Sequence, residues 1–404
     1  MRITYLAQYF KPPNEAGSKR AYWVASHLVS RGYDVTVITQ RNISYGDTGN
    51  EIPLISEVSI DGIRVVYLRN SYSNSMGLLA RAVSFLRFML LAIYAMLKSH
   101  PPDLIYASST PLTVVVPALI SKWLRGGKYI FEVRDLWPRV PIEMGGISSL
   151  TIQKVLLRLE RLAYDQASAV VALSAGMRDG ILRVAPTTDV RIVPNMSSLQ
   201  DFAPPLPVAD GNVRRGEHSK FRVIYFGQFG KSNDMPTVME AAASLMECDP
   251  NVIVSFVGEG YYKEDIKSLC ATNDRLEFSE RVGIAELAKL LHSSDLSLVT
   301  FSDFPILATN SPNKLFDSLA AGLPIIVNTD GWMRELVENN GCGFYCEVGN
   351  AEALVQTILN AKQDSISLDL SSKKAREVAG TQFSKEFLCN QIATVVADTL
   401  AGTT

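Results

Sequence analysis

The segment Thr309–Pro324 reads TNSPNKLFDSLAAGLP, and its residue types predict a helix with well-marked ends. Ser311 is of a type preferred at the cap of a helix N-terminus, and Pro312 suits the first helical position. Gly322 suits the position after the last turn, where a left-handed backbone is common. We therefore expect a short helix here, followed directly by a strand at Pro324–Asn328.

The first turn of this predicted helix has the charge pattern of an anion site. Free N–H groups and the helix dipole favour a negative charge at a helix N-terminus. Lys314 would oppose that dipole unless an anion lies beside it, and Asp317, one turn further, could accept a hydrogen bond from a ribose hydroxyl. The alternative is a well-capped surface helix on which both side chains are simply exposed.

Outward from this segment, short β-branched runs alternate with helical periodicity along the chain. The predicted strands are Arg2–Ala7, Val35–Thr39, Ile63–Leu68, Leu104–Ala107, Tyr129–Val133, Val170–Leu173 and Val190–Val193, then Arg222–Phe226, Val252–Val257, Leu276–Phe278, Leu296–Thr300 and Pro324–Asn328. This alternation predicts an α/β fold. Because the pattern restarts after a polar break, we expect two Rossmann-like, doubly wound parallel-sheet domains facing a central cleft.

The break in the pattern gives the expected domain boundaries. Residues 1–198 form the first domain, and residues 199–220 form a proline-rich linker without apolar periodicity. Residues 221–380 form the second domain. Residues 381–404 form a C-terminal helix that could pack back on the first domain.

The composition excludes several classes of protein. The 404 residues carry 39 Lys and Arg against 41 Asp and Glu, and this net charge of −2 argues against a nucleic-acid partner. The five cysteines form no CxxC pair and the four histidines no ligand pair, so we expect a reduced cytosolic protein with no metal and no cofactor. Met1–Phe10 lacks the apolar run and the cleavage site of a signal peptide.

The stretch Ser311–Val327, SPNKLFDSLAAGLPIIV, resembles the nucleotide-binding segment of family-four-type retaining glycosyltransferases, which have the GT-B fold. That family carries two acidic residues with seven residues between them. Asp317 fills the second place here, whereas Thr309 stands at the first. The Ser-Pro-Asn-Lys form is similar to a subgroup of bacterial surface-polysaccharide transferases that act on N-acetylated amino sugars.

Other segments carry the same resemblance through the predicted second domain. Val223–Gly230, VIYFGQFG, resembles the strand and glycine loop that open the donor domain, and Val257–Gly260, VGEG, is similar to a segment beside the nucleobase. Many relatives clamp the donor diphosphate with Arg and Lys, where Gln228 and Asn233 stand here. The resemblance implies donor-binding roles for Gly17, Gly227, Gln228, Lys231, Glu259, Arg281, Val282, Ser311, Asn313 and Asp317.

Two segments of the first domain also resemble the family. Pro12–Ser18, PPNEAGS, resembles a loop in which Gly17 lets the backbone approach the donor phosphate and the acceptor. Phe131–Pro138, FEVRDLWP, is similar to the segment that holds a catalytic His-Asp pair in many relatives, with Arg134 and Asp135 in those places. The resemblance implies that Asp135 and Arg134, with Lys314 of the second domain, are the catalytic residues.

A long apolar helix is predicted at Leu79–Leu97. Its uncharged run, Phe88–Leu97, has ten residues, about half of the roughly 20 that a spanning helix needs. Arg81, Arg87 and Lys98 border an apolar surface, as an interfacial helix requires. A core helix packed on the sheet would show the same periodicity, but the acceptors of the relatives favour contact with an anionic membrane surface.

The function implied by the resemblance is transfer of a sugar from a UDP-sugar, with an N-acetylated amino sugar expected, to a polyprenyl-diphosphate-linked glycan, with retention of configuration. This reaction would take place in the cytoplasm, at the inner face of the cell membrane, during synthesis of O-antigen, capsule or another surface polysaccharide. The absence of a D-x-D triplet agrees with metal-independent transfer.

Two alternatives remain at this point. One is a UDP-sugar 2-epimerase with the same fold. The other is a non-catalytic GT-B subunit of a partner enzyme, for which Thr309, Gln228 and Asn233 are the best support.

Overall fold

The protein is described from a computed structural model that covers residues 1–13, 17–42, 53–70, 77–204 and 220–402. The chain divides into two compact units. Unit 1 consists of Met1–Pro194 together with Glu386–Thr404, and unit 2 of Asn195–Lys385. Most of the predicted linker, residues 205–219, lies outside the described residues. So do residues 14–16 of the Pro12–Ser18 loop.

Unit 1 contains an eight-stranded sheet in the order β3-β4-β2-β1-β5-β6-β7-β8. Its strands are β1 (Arg2–Ala7), β2 (Asp34–Asn42), β3 (Ile55–Ile60), β4 (Ile63–Asn70), β5 (Leu104–Ser108), β6 (Lys128–Val133), β7 (Ala169–Ala172) and β8 (Val190–Ile192). All strand pairs are parallel except β3–β4. The sheet is therefore mixed, a difference from the parallel sheet that the sequence predicts.

In the part of the chain that the structure describes, seven helices belong mainly to unit 1. They are α1 (Arg20–Ser30), α2 (Leu78–Lys98), α3 (Val115–Arg125), α4 (Arg139–Glu143), α5 (Leu150–Asp165), α6 (Ala175–Val184) and the C-terminal α14 (Lys385–Ala401). The connection through α1 runs from β1 to β2, towards the β3 edge of the sheet. The connections through α2 (β4 to β5), α3 (β5 to β6) and α5 (β6 to β7) run towards the β8 edge. Because such crossovers are right-handed, α2, α3 and α5 lie on the face opposite to α1.

Unit 2 contains a six-stranded sheet in the order β11-β10-β9-β12-β13-β14. Its strands are β9 (Phe221–Phe229), β10 (Val252–Gly260), β11 (Leu276–Ser279), β12 (Leu296–Val299), β13 (Ile325–Val327) and β14 (Gly343–Tyr345). Every strand pair is parallel, so all six carboxyl ends lie at one edge. This topology confirms the doubly wound sheet predicted for the second half of the chain.

The helices of unit 2 cover the sheet and bury apolar strand residues. They are α7 (Met235–Cys248), α8 (Lys263–Cys270), α9 (Ile284–His292), α10 (Asn313–Ala321), α11 (Trp332–Asn339), α12 (Ala351–Gln363) and α13 (Ser365–Thr381). One core cluster joins strand residues such as Val223, Val254 and Leu298 to Leu245 of α7 and Ile358 of α12. This core packs helices α7 and α12 against the sheet.

Candidate functional site

The carboxyl edge of the unit 2 sheet brings together the donor-binding residues predicted in this unit. Because α10 follows β12, its N-terminal turn lies at this edge, where the other strands also end. Gly227 and Gln228 occupy the end of β9, and Lys231 follows that strand. Glu259 occupies the end of β10, and Arg281 and Val282 follow β11. Ser311, Asn313 and Lys314 lie at the start of α10. Asp317 is half-buried one turn into α10.

Two glycines allow the ends of β9 and β10 to approach closely. Gly227 has a φ of +113°, a conformation that residues with a Cβ rarely adopt. Gly258 is its partner in the register, and a Cβ atom on Gly258 would lie 1.9 Å from the carbonyl oxygen of Gly227. The close approach of β9 and β10 therefore requires glycine at both Gly227 and Gly258.

Lys314 is buried, which contradicts the alternative of an exposed side chain on a surface helix. Its Nζ donates a hydrogen bond to the Tyr225 Oη at 2.7 Å and lies 4.0 Å from the centre of the same ring. Burial lowers the pKa of Lys314 to about 7, because desolvation disfavours the charged amine. A cation held in this way would be stabilised by an anion bound at the end of β9.

Tyr225 is a site residue that the sequence prediction missed. It is completely buried in β9, and its Oη donates a hydrogen bond to the carbonyl oxygen of Gln228 at 2.8 Å. The hydroxyl thus connects Lys314 to the carboxyl end of β9. The only signal in the sequence is a hydroxyl-bearing aromatic residue within the apolar run Val223–Phe226, which alone does not distinguish this role from core packing.

The predicted cap at the start of α10 is wrong. The helix begins at Asn313, Pro312 takes the cap position, and no side chain caps the first turn. The carbonyl oxygen of Ser311 instead accepts a hydrogen bond from the Asn195 amide at 2.6 Å. The Ser311 hydroxyl is buried and has no hydrogen-bond partner among the described residues, as is also true of Thr329 Oγ1.

The segment before α10 is fixed by other contacts. The Trp332 indole donates to the carbonyl oxygen of Asn310 at 3.0 Å, and its ring stacks on Phe316. Thr309, which stands where relatives have an acidic residue, donates its hydroxyl to the carbonyl oxygen of Ile306 at 2.7 Å. The C-terminus of α10 ends as predicted, with Gly322 in the left-handed conformation at a φ of +69°.

The other donor-binding candidates lie in loops with mixed charge. Lys231 is exposed, and its Nζ lies 4.4 Å from the centre of the Tyr261 ring. Glu259 accepts a hydrogen bond from Lys263 at 3.0 Å, and the same amine reaches Glu280 at 2.8 Å. Arg281 is exposed and Val282 half-buried, in the segment between β11 and α9.

In unit 1, Arg134 and Asp135 follow β6, as the sequence predicts. Arg134 donates from its backbone N–H to Ser109 Oγ at 2.9 Å and from its guanidinium to Ser18 Oγ at 3.2 Å. Asp135 accepts a hydrogen bond from the Thr110 hydroxyl at 3.1 Å. Burial raises the pKa of Asp135, and the Arg134 charge and the Thr110 hydrogen bond only partly oppose that effect. The three loops after β1, β5 and β6 thus meet at one edge.

Gly17 is exposed at the end of the first of these loops, with a φ of +125°. Its neighbour Ser18 is the residue that contacts Arg134. The preceding residues 14–16 of the predicted loop lie outside the described residues.

A buried ion pair beneath this edge was missed in the sequence. The Glu132 carboxylate is completely buried and accepts hydrogen bonds from Arg20 at 2.9 Å, Tyr106 at 2.8 Å and Ser108 at 2.7 Å. The Arg20 guanidinium also donates to the carbonyl oxygens of Val193 and Pro194. An acidic residue within an apolar strand is a signal, but its partner lies 112 positions away and only the fold brings the two together.

Comparison with known families also divides the chain into two successive domains. Residues 16–196 match the family described as Glycosyl transferase 4-like domain. Residues 213–378 match the family described as Glycosyl transferases group 1. Together the two matches include the edges that carry Asp135 and Lys314.

Curated relatives share a modest fraction of the sequence. A probable glycosyltransferase of Pseudomonas aeruginosa, WbjE, is 22% identical over 335 residues, which are 80% of this chain and 81% of that protein. An Escherichia coli protein named UDP-Gal:alpha-D-GlcNAc-diphosphoundecaprenol alpha-1,3-galactosyltransferase is 23% identical over 195 residues, 46% of this chain and 48% of that protein.

Solved structures share the fold over nearly the full length. Sucrose-phosphate synthase from Thermosynechococcus elongatus has a TM-score of 0.76 at 18% identity, covering 99% of both chains. The Anabaena protein HepE in complex with UDP and glucose has a TM-score of 0.69 at 18% identity, covering 98% of this chain and 100% of that one. The two α/β units, one with a mixed and one with a parallel sheet, and both family matches agree: the chain belongs to the glycosyltransferases of the GT-B fold, with a glycosyl transferase 4-like domain followed by a group 1 domain.

Proposed function

We propose that this protein transfers a sugar from a UDP-sugar to a lipid-linked glycan during the synthesis of a bacterial surface polysaccharide. The proposed donor carries an N-acetylated amino sugar, and the anomeric configuration is retained. In this proposal unit 2 binds the nucleotide diphosphate, and unit 1 binds the acceptor near Asp135 and Arg134.

The observation that carries the proposal is the buried amine of Lys314 at the start of α10. Its Nζ makes one hydrogen bond to a protein atom among the described residues, the bond to Tyr225. An ammonium group has three N–H donors, so two remain for a ligand. The helix N-terminus adds further free N–H groups at the same edge of the sheet. A diphosphate supplies the charge and the acceptor oxygens that this arrangement needs.

Donor binding also requires polar groups around the diphosphate. The buried hydroxyls of Ser311 and Thr329 have no partner among the described residues and could donate to a phosphate or sugar oxygen. Asp317 is proposed to bind the ribose, while Glu259, Arg281 and Val282 surround the base. Gln228, at the end of β9, and Lys231, in the loop after it, take the places nearest the phosphates.

The relatives support a nucleotide donor and a lipid acceptor. The E. coli relative is named for UDP-galactose and for a diphosphoundecaprenol-linked acceptor, and HepE was solved with UDP and glucose. We transfer from them the class of the donor, UDP-linked, and of the acceptor, polyprenyl-diphosphate-linked. The N-acetylated sugar rests on the Ser-Pro-Asn-Lys sequence at Ser311–Lys314.

Chemically, the site would act by stabilising the leaving group. As the bond between sugar and phosphate breaks, negative charge develops on the UDP, and preorganised donors such as Lys314 stabilise it most in the transition state. In a retaining, front-face reaction the departing phosphate oxygen accepts the proton of the attacking hydroxyl. Asp135 and Arg134 are proposed to orient that hydroxyl.

A membrane contact is proposed for the helical layer formed by α2, α3 and α5. Within the described residues one helical stretch, Ala80–Lys98, is long and apolar enough to cross a membrane by length and composition, and 28% of it is buried. The layer exposes large apolar side chains on all three helices: Val83, Leu86, Leu90, Tyr94 and Leu97, then Trp123 and Leu124, then Leu150, Ile152 and Val155. We call these ten residues the apolar surface.

The charges around the apolar surface suit an anionic membrane. The α2 and α3 sequences contain no acidic residue, and they carry Arg81, Arg87, Lys98, Lys122 and Arg125. On α5 the two acidic residues pair with arginines, Glu160 with Arg139 and Asp165 with Arg161. Cations beside an exposed apolar face are typical of interfacial binding. The protein would then work at the cytoplasmic face of the cell membrane.

Incubation of the purified chain with a panel of UDP-sugars and a polyprenyl-diphosphate-linked sugar tests the proposed reaction. Mass spectrometry should detect an acceptor extended by one sugar and free UDP, with the N-acetylated donors the most active. Lys314→Gln should remove the product. Hydrolysis or isomerisation of the UDP-sugar without extension of the acceptor would contradict the proposal.

A further inference from the structure

Tyr225 links two parts of the proposed donor site that lie far apart in the sequence. Its hydroxyl accepts a hydrogen bond from Lys314 Nζ at 2.7 Å and donates one to the Gln228 carbonyl at 2.8 Å. The tyrosine is completely buried and lies at the centre of the strand order, in β9. The three groups form a continuous chain from the first turn of α10 to the carboxyl end of β9.

The direction of these hydrogen bonds is fixed by the chemistry of the hydroxyl. A phenol has one proton to donate and lone pairs to accept. Because a carbonyl oxygen cannot donate, the Tyr225 proton must point to Gln228, and the hydroxyl can only accept from Lys314. This arrangement favours the ammonium form of the lysine, since hydrogen bonds from charged donors are the stronger ones.

We propose that Tyr225 is a positioning residue, which holds the Lys314 ammonium beside the turn at Gly227 so that it meets the diphosphate of the donor. The inference rests on the proposed function. Nζ is restricted on one side by the Tyr225 ring, at 4.0 Å from its centre, and its side chain passes Gly227, where a Cβ would lie 3.6 Å from Lys314 Cε. That distance is an ordinary van der Waals contact, so the Lys314 side chain lies directly against the turn at Gly227, and the Tyr225 hydroxyl sets the position of the amine there.

The energetic need for such a residue follows from burial. Burial is the sole cause of the lowered pKa of Lys314, about 7, and no charged side chain among the described residues contributes to it. Near neutral pH the amine therefore exists in both forms. Loss of the hydroxyl should lower the pKa further, because the ammonium would lose its acceptor, whereas a bound diphosphate should raise it.

The test is calorimetric titration of the full chain with UDP at pH 6 and pH 8. Tyr225→Phe keeps the ring and removes the hydroxyl, and Lys314→Gln removes the amine. We expect Tyr225→Phe to weaken UDP binding by about tenfold at pH 8 and by about threefold or less at pH 6, in the range of a lost charge-assisted contact. In a Lys314→Gln background the same change should have no further effect. A purely structural role would weaken binding equally at both pH values.

A matched control is Tyr129→Phe in unit 1. Tyr129 is also completely buried, and its hydroxyl has no partner among the described residues. This variant should bind UDP as the wild type does at both pH values. Circular dichroism of all variants monitors the fold.

A second measurement uses the wild type alone. With ¹³Cε-labelled lysine, the Lys314 resonance, assigned by its absence in Lys314→Gln, should titrate near pH 7 and shift to higher pH with saturating UDP. The absence of any titration between pH 5 and 9 would overturn the inference, as would a pH-independent effect of Tyr225→Phe with UDP binding intact. A wild type that does not bind UDP at all would overturn the proposed function and this inference with it.

Discussion

Glu132 is completely buried in β6, where an isolated carboxylate would be strongly disfavoured. Burial alone would raise its pKa, but the charge of Arg20, that of Arg134 and the hydrogen bonds from Ser108 and Tyr106 outweigh burial, so the pKa is lowered. The carboxylate is thus stabilised as an anion inside the sheet that supports the Arg134–Asp135 edge. Such a buried ion pair contributes little net stability to the fold, yet removal of one partner leaves the other charge buried and unpaired.

We therefore expect Glu132→Gln to reduce the free energy of unfolding by about 3–5 kcal/mol at pH 7. A carboxylate with a lowered pKa stabilises the folded state above its unfolded pKa, about 4.3, and that contribution is lost as the pH falls through the lower folded value. The difference between variant and wild type should stay constant down to about pH 5 and shrink below it. Urea unfolding at several pH values measures this difference.

The control for this prediction is a surface pair in the same unit. Glu57 and Arg64 form an ion pair at 2.8 Å, with both side chains about half exposed. Glu57→Gln should change the free energy of unfolding by less than about 1 kcal/mol. A similar effect of the two substitutions would show that the buried position of Glu132 is not the cause.

Gly258 gives a second prediction at the residue scale. A methyl group there would meet the carbonyl oxygen of Gly227 at 1.9 Å, a backbone atom that cannot move without separating β9 from β10. Gly258→Ala should lower the free energy of unfolding by about 3 kcal/mol or more. At Gly283 a Cβ has open space and φ is −71°, so Gly283→Ala should stay within about 1 kcal/mol in the same thermal melts.

Local patterns predict some of these residues better than others. Gly322 could be assigned from sequence because a helix end requires only its own backbone conformation. The role of Ser311 could not, since the long-range hydrogen bond from Asn195 replaces the cap that its residue type suggests. The pairing of Glu132 with Arg20 and of Lys314 with Tyr225 likewise depends on contacts across 112 and 89 positions. A single sequence does not show which residues so far apart along the chain will be in contact.

At the scale of elements, the two units differ in how well periodicity describes them. Buried parallel strands such as β9 and β10 contain apolar runs, Val223–Phe226 and Val252–Val254, so the sequence predicts them directly. β3 is an exposed antiparallel edge strand with Glu57 at its centre, and it has no such run to identify it. The long helix α2 was predicted, but only the structure distinguishes its buried residue Phe88 from its exposed residue Leu90.

The apolar surface of α2, α3 and α5 leads to a prediction for membrane binding. Arg87, Lys98 and Lys154 are exposed beside it. Each cation contributes about 1 kcal/mol near an anionic bilayer, and three together about a hundredfold in partitioning. The triple substitution of these residues by Gln should therefore release the protein from anionic liposomes in sedimentation assays. UDP binding, measured by calorimetry, should remain.

The matched control removes the same number of charges from unit 2. Lys289 lies on α9, and Lys373 and Lys374 lie on α13, whereas the apolar surface belongs to helices of unit 1. Their triple substitution by Gln should leave liposome binding as it is in the wild type. If both triple variants sediment equally, electrostatic attachment through α2 and α5 is wrong. High salt should weaken the wild-type interaction, because exposed charges are screened.

At the scale of the whole molecule, the fold alone allows several activities. Twin Rossmann-like units occur in enzymes with different reactions, and fold does not imply function. The family matches over residues 16–196 and 213–378 favour a glycosyltransferase over the 2-epimerase alternative. The non-catalytic alternative rested on the residues at Thr309, Gln228 and Asn233. The transfer assay separates this alternative from an active enzyme, because a non-catalytic subunit would leave the acceptor unextended.

The arrangement around Lys314 also predicts how transfer responds to removal of metal. Charge that develops on the departing diphosphate can be stabilised by this amine and by the N-terminal N–H groups of α10. The sequence has no D-x-D triplet of the kind that would hold a divalent ion on the diphosphate. We therefore expect transfer to keep most of its rate in excess EDTA.

Single-turnover measurements provide the sharpest form of this test, because they separate the chemical step from product release. With enzyme in excess over the UDP-sugar, the rate of transfer should be the same with EDTA and with added Mg²⁺ or Mn²⁺. Lys314→Gln should slow that step by about a hundredfold or more in both conditions, as expected for the loss of a group that stabilises the transition state. A chemical step that stops in EDTA and recovers with Mg²⁺ would show that an ion, rather than Lys314, stabilises the leaving diphosphate.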